Sequence, residues 1–298
     1  MKATKTMYLT GFADEAAADL PTQIKATQEL GWKNIECRKI DGVNLHDLDE
    51  AAFDRVCEQL AEADVRINCF GSAIANWACS VNDPFEDTLD CVKRAIPRMQ
   101  RLNTSMIRIM SYRVEKDRAA DDQQEDERFR RLRTITDLFL DAGLQPVHEN
   151  CMNYGGMGWT YTLRMLDAVP GLKLVFDTGN PCFTPEYRKP EPHPRQSSYD
   201  FFRQVRDHVC YIHIKDAVYR PDQPKPIHTM PGEGHGDVRL VLADLVREGY
   251  QGGISIEPHL ASVHHTDESD ANRNAYDTYV AYGRRLMELL ADAGADLN

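Results

Sequence analysis

The sequence predicts a closed (β/α)₈ barrel spanning residues 1–298 as one domain, and three observations carry that expectation. Short apolar runs alternate with longer amphipathic segments along the whole 298-residue chain, and no shift in composition marks a boundary. The alternation gives eight βα units in series, the number that closes a barrel. The first apolar run is followed by "GFADEAAADL", which lacks the glycine-rich phosphate loop that an open doubly wound sheet usually carries there.

The strands are expected at "MYLTGF" from Met7, "NIECR" from Asn34, "RINCFG" from Arg66, "MIRIMS" from Met106, "LQPVHE" from Leu144, "LKLVFD" from Leu172, "VCYIHIKD" from Val209 and "GISIEP" from Gly253. Helical periodicity marks Asp49 to Ala63, Pro84 to Leu102, Glu127 to Ala142, Val238 to Glu248 and Asp270 to Ala293. Nine of the fifteen prolines fall between Thr178 and Ser198 or between Ala217 and Gly236, after strands six and seven. These long loops belong to the face where a barrel builds its site, so they are expected to cover that site and to set substrate choice.

Acidic residues outnumber basic ones by 47 to 35, a net charge of -12, which disfavours a nucleic-acid partner. The eight cysteines are scattered without a Cys-x-x-Cys pair and read as reduced thiols. "MKATKTMYLTGFADE" has no apolar leader and no run is long enough to span a membrane, so a soluble, cytoplasmic protein is expected. A small-molecule carbohydrate is the expected partner, and self-association into homo-oligomers is left open.

Strand parity identifies the candidate site. With Leu174 and Phe176 facing the helices, Lys173, Val175 and Asp177 face the barrel axis. Likewise Ser255 and Glu257 face inward from "GISIEP", and Tyr211, His213 and Lys215 from "YIHIKD". "LQPVHE" sends Val147 and Glu149 to one face and His148 to the other, which is assigned to the helix layer. Four neighbouring strands therefore end in Glu149, Asp177, His213 and Glu257. Unpaired buried carboxylates are costly, and a divalent cation would compensate all of them. Oxygen ligands with one imidazole suit Mn²⁺, Mg²⁺ or Co²⁺ better than a structural zinc. Neutralisation by Lys173, Lys215, Arg108 or Arg38 in a polar network explains one such charge equally well, and four less well.

At these residues the chain resembles the xylose isomerase-like barrels of the sugar phosphate isomerase/epimerase superfamily, which includes ketose 3-epimerases, inosose dehydratases and type IV apurinic endonucleases. The resemblance runs through Asn-Ile-Glu in strand two, "HEN", "FDTGN", "HIKD", "PGEG" and "IEPH", in that order. It implies a divalent metal, commonly manganese, on Glu149, Asp177, His213 and Glu257, with the two glutamates also carrying protons. The mechanism it implies is proton abstraction next to a carbonyl through a metal-stabilised enediolate, as an isomerase or epimerase of a sugar or keto-sugar. The adjacent outcome is a dehydratase or β-eliminating lyase of the inosose or 3-keto-glycoside type.

Arg220, seven residues beyond His213, looks like the family's substrate-contacting arginine. Asn180 stands where many relatives carry histidine, and His235 and His259 are candidates to supply what it cannot. Lys215 and Trp159 complete the expected substrate-binding set, with Tyr112 and Asn153 as wall candidates. The extra histidines of the nuclease branch are missing from "NCFGSA", "RIMSY" and "DTGN", and a non-catalytic sugar-binding barrel would not need two apposed glutamates.

Overall fold

A computed structural model describes residues 7–223, 225–260 and 268–296 of the chain, with the side chains of 268–273 left aside. Pro224, in the second of the proline-rich loops, lies outside the described residues. The barrel strands are β1 (Tyr8–Gly11), β2 (Asn34–Cys37), β3 (Arg66–Phe70), β4 (Met106–Ile109), β5 (Gln145–Glu149), β6 (Lys173–Asp177), β7 (Val209–Ile214) and β8 (Gly253–Ile256). They form one parallel sheet in which each strand pairs with the next from β2 to β8, and β8 returns to pair with β1. A single parallel bridge from Phe12 to Glu36 joins β1 to β2 and completes the ring.

Around the sheet run α1 (Leu20–Glu29), α2 (Glu50–Ala63), α3 (Phe85–Arg101), α4 (Glu125–Asp141), α5 (Trp159–Ala168), α6 (Ser198–Val205), α7 (Val238–Arg247) and α8 (Glu268–Asp292). Acidic or hydroxyl caps start several of them. Asp49 accepts from the amide of Ala52 at 2.7 Å and Asp19 from that of Thr22 at 2.9 Å, contacts worth about 1 kcal/mol each.

The core divides as the parity requires. Leu174, Phe176, Ile212, Ile214, Ile254 and Ile256 pack outward into the large layer between sheet and helices. Cys69, Val147, Val175 and Tyr211 form a separate, fully buried plug inside the barrel. Above this plug the lumen turns polar. Thr10 donates to Asn68, Asn68 to the Tyr211 hydroxyl, and that hydroxyl to Glu36, at 2.8, 2.9 and 3.0 Å. Lys173 is exposed at the opposite end of β6 and so plays no part at the mouth.

Candidate metal centre at the barrel mouth

Strand register carries four side chains to one point. Asp177 pairs with His213 across β6 and β7, and Ser255 with His213 across β7 and β8. Glu149, Asp177, His213 and Glu257 are all buried, and one donor atom from each lies within 4.8 Å of the others. His148 points the other way, as parity demands, and its Nε2 meets the Ser111 hydroxyl at 2.9 Å in the helix layer.

The residues around these four divide into ligand candidates and fasteners. In "HEN", Asn150 accepts the amide of Asp177 and donates to its carbonyl, clamping β5 to β6. In "FDTGN", Thr178 donates to the Lys215 carbonyl at 2.7 Å and ties β6 to β7. In "HIKD", Asp216 accepts the amides of Gly232, Gly234 and Gly236 at 2.8–2.9 Å, which folds the "PGEGHG" loop over the strand end. A Cβ at position 234 would stand 2.3 Å from the Asp216 carboxylate, so this loop requires glycine there.

Cations back the acids on the other side of the mouth. Arg108 donates to Glu149 at 2.9 Å, and Arg38 lies 3.6 Å from Glu257 while bonding Asp14 and Glu15. Both guanidiniums sit over the ring of Phe12, at 4.8 and 5.0 Å. Gly71 makes room for that ring, since a Cβ there would lie 2.3 Å from Phe12. Lys215 Nζ lies 3.0 Å from Asp177 Oδ2 and from Glu257 Oε2, hydrogen-bonding the latter, while its contact to Asp177 is an ion pair without hydrogen-bond alignment. Asn180 donates to Glu149 Oε1 at 2.9 Å, and His259 Nε2 lies 3.0 Å from Glu257 Oε1. The network of neutralising cations expected as the alternative to a metal is thus present in Arg108, Arg38 and Lys215.

These partners set the protonation states. Burial would raise the Glu149 carboxyl, but the Arg108 guanidinium outweighs it and holds the group at about 2. Glu257 is likewise held well below the carboxylate range, burial being overridden by Lys215 and His259. For Asp177 burial wins over Lys215, helped by the two glutamates, and pushes it up to about 7. Burial would lower His213, but the Glu36 carboxylate reverses this and lifts it to about 10.

The donors fit a divalent cation. His213 Nδ1 is buried without a hydrogen-bond partner and lies 3.9 Å from Glu149 and 3.7 Å from Glu257. Its Nε2 is held by Glu36 at 3.0 Å, the carboxylate support that orients imidazole ligands in metal sites. Three carboxylates and one imidazole, with no thiolate, favour a hard cation.

A cavity of about 660 Å³ opens onto Glu149 and Glu257 and is also lined by Arg108, Asn180, Lys215 and His259. Both long loops contribute walls, through Phe183 and through Lys225, Pro226 and His228. Three expected substrate residues do not reach it. Arg220 and His235 are exposed on the strand-seven loop, where the amide of Tyr219 donates to His235 Nδ1. Trp159 opens α5 beneath the Arg188 guanidinium, 4.4 Å from its ring, and is taken up by packing. Tyr112 is also buried in the core.

The sequence leaves two participants, Glu36 and His228, unmarked and the role of two more incomplete. Glu36 was visible only as one letter of strand two, although its parity placed it inward. His228 comes from a two-stranded ribbon, Ala217–Val218 with Ile227–His228, whose pairing has no local signal. Its ring stands 5.1 Å from that of His259. Arg108 and Arg38 were weighed only as neutralisers, whereas they also line the cavity.

Fold and sequence together place the chain: it belongs to the xylose isomerase-like TIM barrel family, whose model matches residues 24–293. No curated protein matches it significantly in sequence. The probable 3-DHS dehydratase AsbF from Bacillus anthracis shares the fold with a TM-score of 0.68 at 17% identity, over 95% of this chain and 99% of that one. A D-allulose 3-epimerase from Methylomonas sp. gives 0.67 at 17%, over 97% and 100% of the two chains. A xylose isomerase-like TIM barrel protein from Mycobacterium smegmatis, solved in complex with magnesium, gives 0.65 at 16%, over 96% and 98%. Among the described residues no helix is long and apolar enough to cross a membrane.

Proposed function

We propose that the chain is a metal-dependent isomerase or epimerase of a sugar or keto-sugar, with Glu149 and Glu257 as its two proton carriers. The observation that carries this reading is the buried, unpartnered His213 Nδ1 among three converging carboxylates. Glu149, Asp177, His213 and Glu257 would hold the cation, manganese first and magnesium or cobalt next. When bound, it would supply Lewis-acid polarisation of a substrate carbonyl and the neighbouring hydroxyl.

The chain's own groups supply the rest. Glu149 and Glu257 are both held ionised, by Arg108 and Lys215 respectively, and so enter the reaction as bases. One removes the proton beside the carbonyl and passes it to solvent, and the other, having taken a proton from solvent, delivers that proton to the opposite face. Arg108 and Lys215, buried beside these oxygens, offer fixed positive charge to the enediolate that proton loss creates. Asn180 and His259 hold the second oxygens of the two glutamates and fix their orientation.

Lys215 also favours a second reading, a dehydratase or β-eliminating lyase. Its ammonium stands 3.0 Å from Glu257 on the cavity wall, where it can donate a proton to a departing oxygen. One experiment addresses both. The Mn²⁺-loaded protein is incubated in D₂O with ketoses, inososes and keto-glycosides, following exchange, epimer and elimination product separately. Deuterium uptake with a new epimer supports the first reading, and uptake with elimination supports the second. No uptake from any of these substrates would overturn both.

A further inference from the structure

We infer that the mouth is a two-part cleft, in which a second ring carried by the substrate lies in a neighbouring cavity behind Trp77, Met152 and Phe183. The inference rests on the reading of Glu149 and Glu257 as the reacting end.

The second cavity, about 760 Å³, shares those three side chains with the first. They come from the segments after β3, β5 and β6, so three separate stretches of chain meet at the junction of the two cavities. Trp77 and Met152 are 50% and 53% exposed, two of the most exposed large apolar residues among those described, and both stand at this junction. Apolar surface left open beside a site marks where a ligand covers it.

The two compartments differ in chemistry. The first holds both glutamates, Arg108 and Lys215. The second is lined by Val114, Met157 and Tyr187, with Lys116 and Asp117 exposed at its edge; Arg113 bonds Glu115, and Arg195 bonds the Phe183 carbonyl and sits over the Tyr219 ring. Its apolar lining suits a ring, and the converging carboxylates and imidazole of the first cavity are not among its walls. Asn153, on its floor, donates to the Glu149 carbonyl at 3.0 Å, so one short segment sets both compartments in fixed relation. The face of a pyranose or an aryl group is the chemistry that an exposed indole and a tyrosine accept.

The test measures binding with matched ligands on the Mn²⁺-loaded protein: a ketose, the same ketose carrying a glycosyl substituent, and the same ketose carrying a phenyl substituent. A substituted ligand is expected to bind at least about tenfold tighter than the parent, within the range of an aromatic stacking contact. The arm that gains identifies the ring as sugar or aryl. Trp77→Ala, at a half-exposed position that should not disturb folding, and Val114→Trp, which fills the second cavity, should each cut that ratio at least about fivefold. Equal affinities in the unaltered protein, or a ratio that neither variant changes, would overturn the cleft. Because the ratio is a binding quantity, it is separable from the reaction. Deuterium exchange without a ratio sinks the cleft alone, and a ratio without exchange sinks the reaction class alone.

Discussion

The two halves of the barrel mouth are built from opposite materials. Strands β5 to β8 end in Glu149, Asp177, His213 and Glu257, whereas the β1 to β4 side presents Phe12, Arg38, Gly71 and Arg108. One half concentrates negative charge in a buried place, and the other supplies guanidiniums held on an aromatic ring. The two glutamates are kept ionised in different ways: Glu149 by Arg108 from the opposite half of the ring, and Glu257 by Lys215 and His259 from its own half. Closure of the ring also brings Arg38, just after β2, to 3.6 Å from Glu257, just after β8.

The comparison is broken most severely by neutralising the acidic half. Glu149→Gln and Glu257→Gln should each lower turnover by about 10²–10⁴-fold while some metal stays bound, since an amide oxygen still coordinates. Turnover and metal content measured together check this. Full activity in both variants would move the bases to another residue.

Removing the cationic half should act on stability first. Arg108→Met leaves Glu149 buried without its guanidinium, and urea unfolding of the metal-free protein should show a loss of about 3–5 kcal/mol. Added Mn²⁺ should recover part of it. A metal-free stability equal to that of the unaltered chain would mean that Glu149 does not depend on the opposite half.

Glu36 joins the halves, reaching from β2 to His213 on β7. Glu36→Gln should weaken metal binding by about 10–100-fold with the fold intact, read by calorimetry. Unchanged affinity would show that His213 is oriented without it.

The smallest effect contrasts the imidazole inside the barrel with one outside it. His46 is buried among Asp47, Arg94 and Arg98, and burial lowers it where Glu36 raises His213. Since its folded value lies below its unfolded one, the unfolded chain binds more protons in between. The contribution is therefore complete above about pH 6.5 and is lost as pH falls. Between about pH 7.5 and 5.5 the unaltered protein should lose up to about 1 kcal/mol more stability than His46→Gln. Parallel pH profiles would assign the acid sensitivity elsewhere.

This contrast also explains what could be read from the sequence. The acidic half was legible because inward parity and the end of a strand coincide at Asp177 and Glu257, and a charge there has no bland place to go. All eight strands and their order were legible for the same reason, since runs such as "LKLVFD" bury both faces. The other half was opaque: Phe12 and Gly71 look like packing residues, and only the closed ring shows an aromatic ring between two guanidiniums. Loop residues are a different case. Arg220 and His235 sit at motif spacing, but loop path decides where a side chain goes, and that path is set by the three amides gathered on Asp216. His228 reaches the cavity by a ribbon that no periodicity announces.

The four inward side chains of β5 to β8 are proposed to hold one divalent cation. Crystals grown with Mn²⁺ and measured at the manganese edge test it directly. A single strong anomalous peak is expected, bounded by Glu149, Asp177, Glu257 and the Nδ1 of His213, with Lys215 drawn back from Asp177. A peak elsewhere, with Lys215 still bridging Asp177 and Glu257, would contradict it.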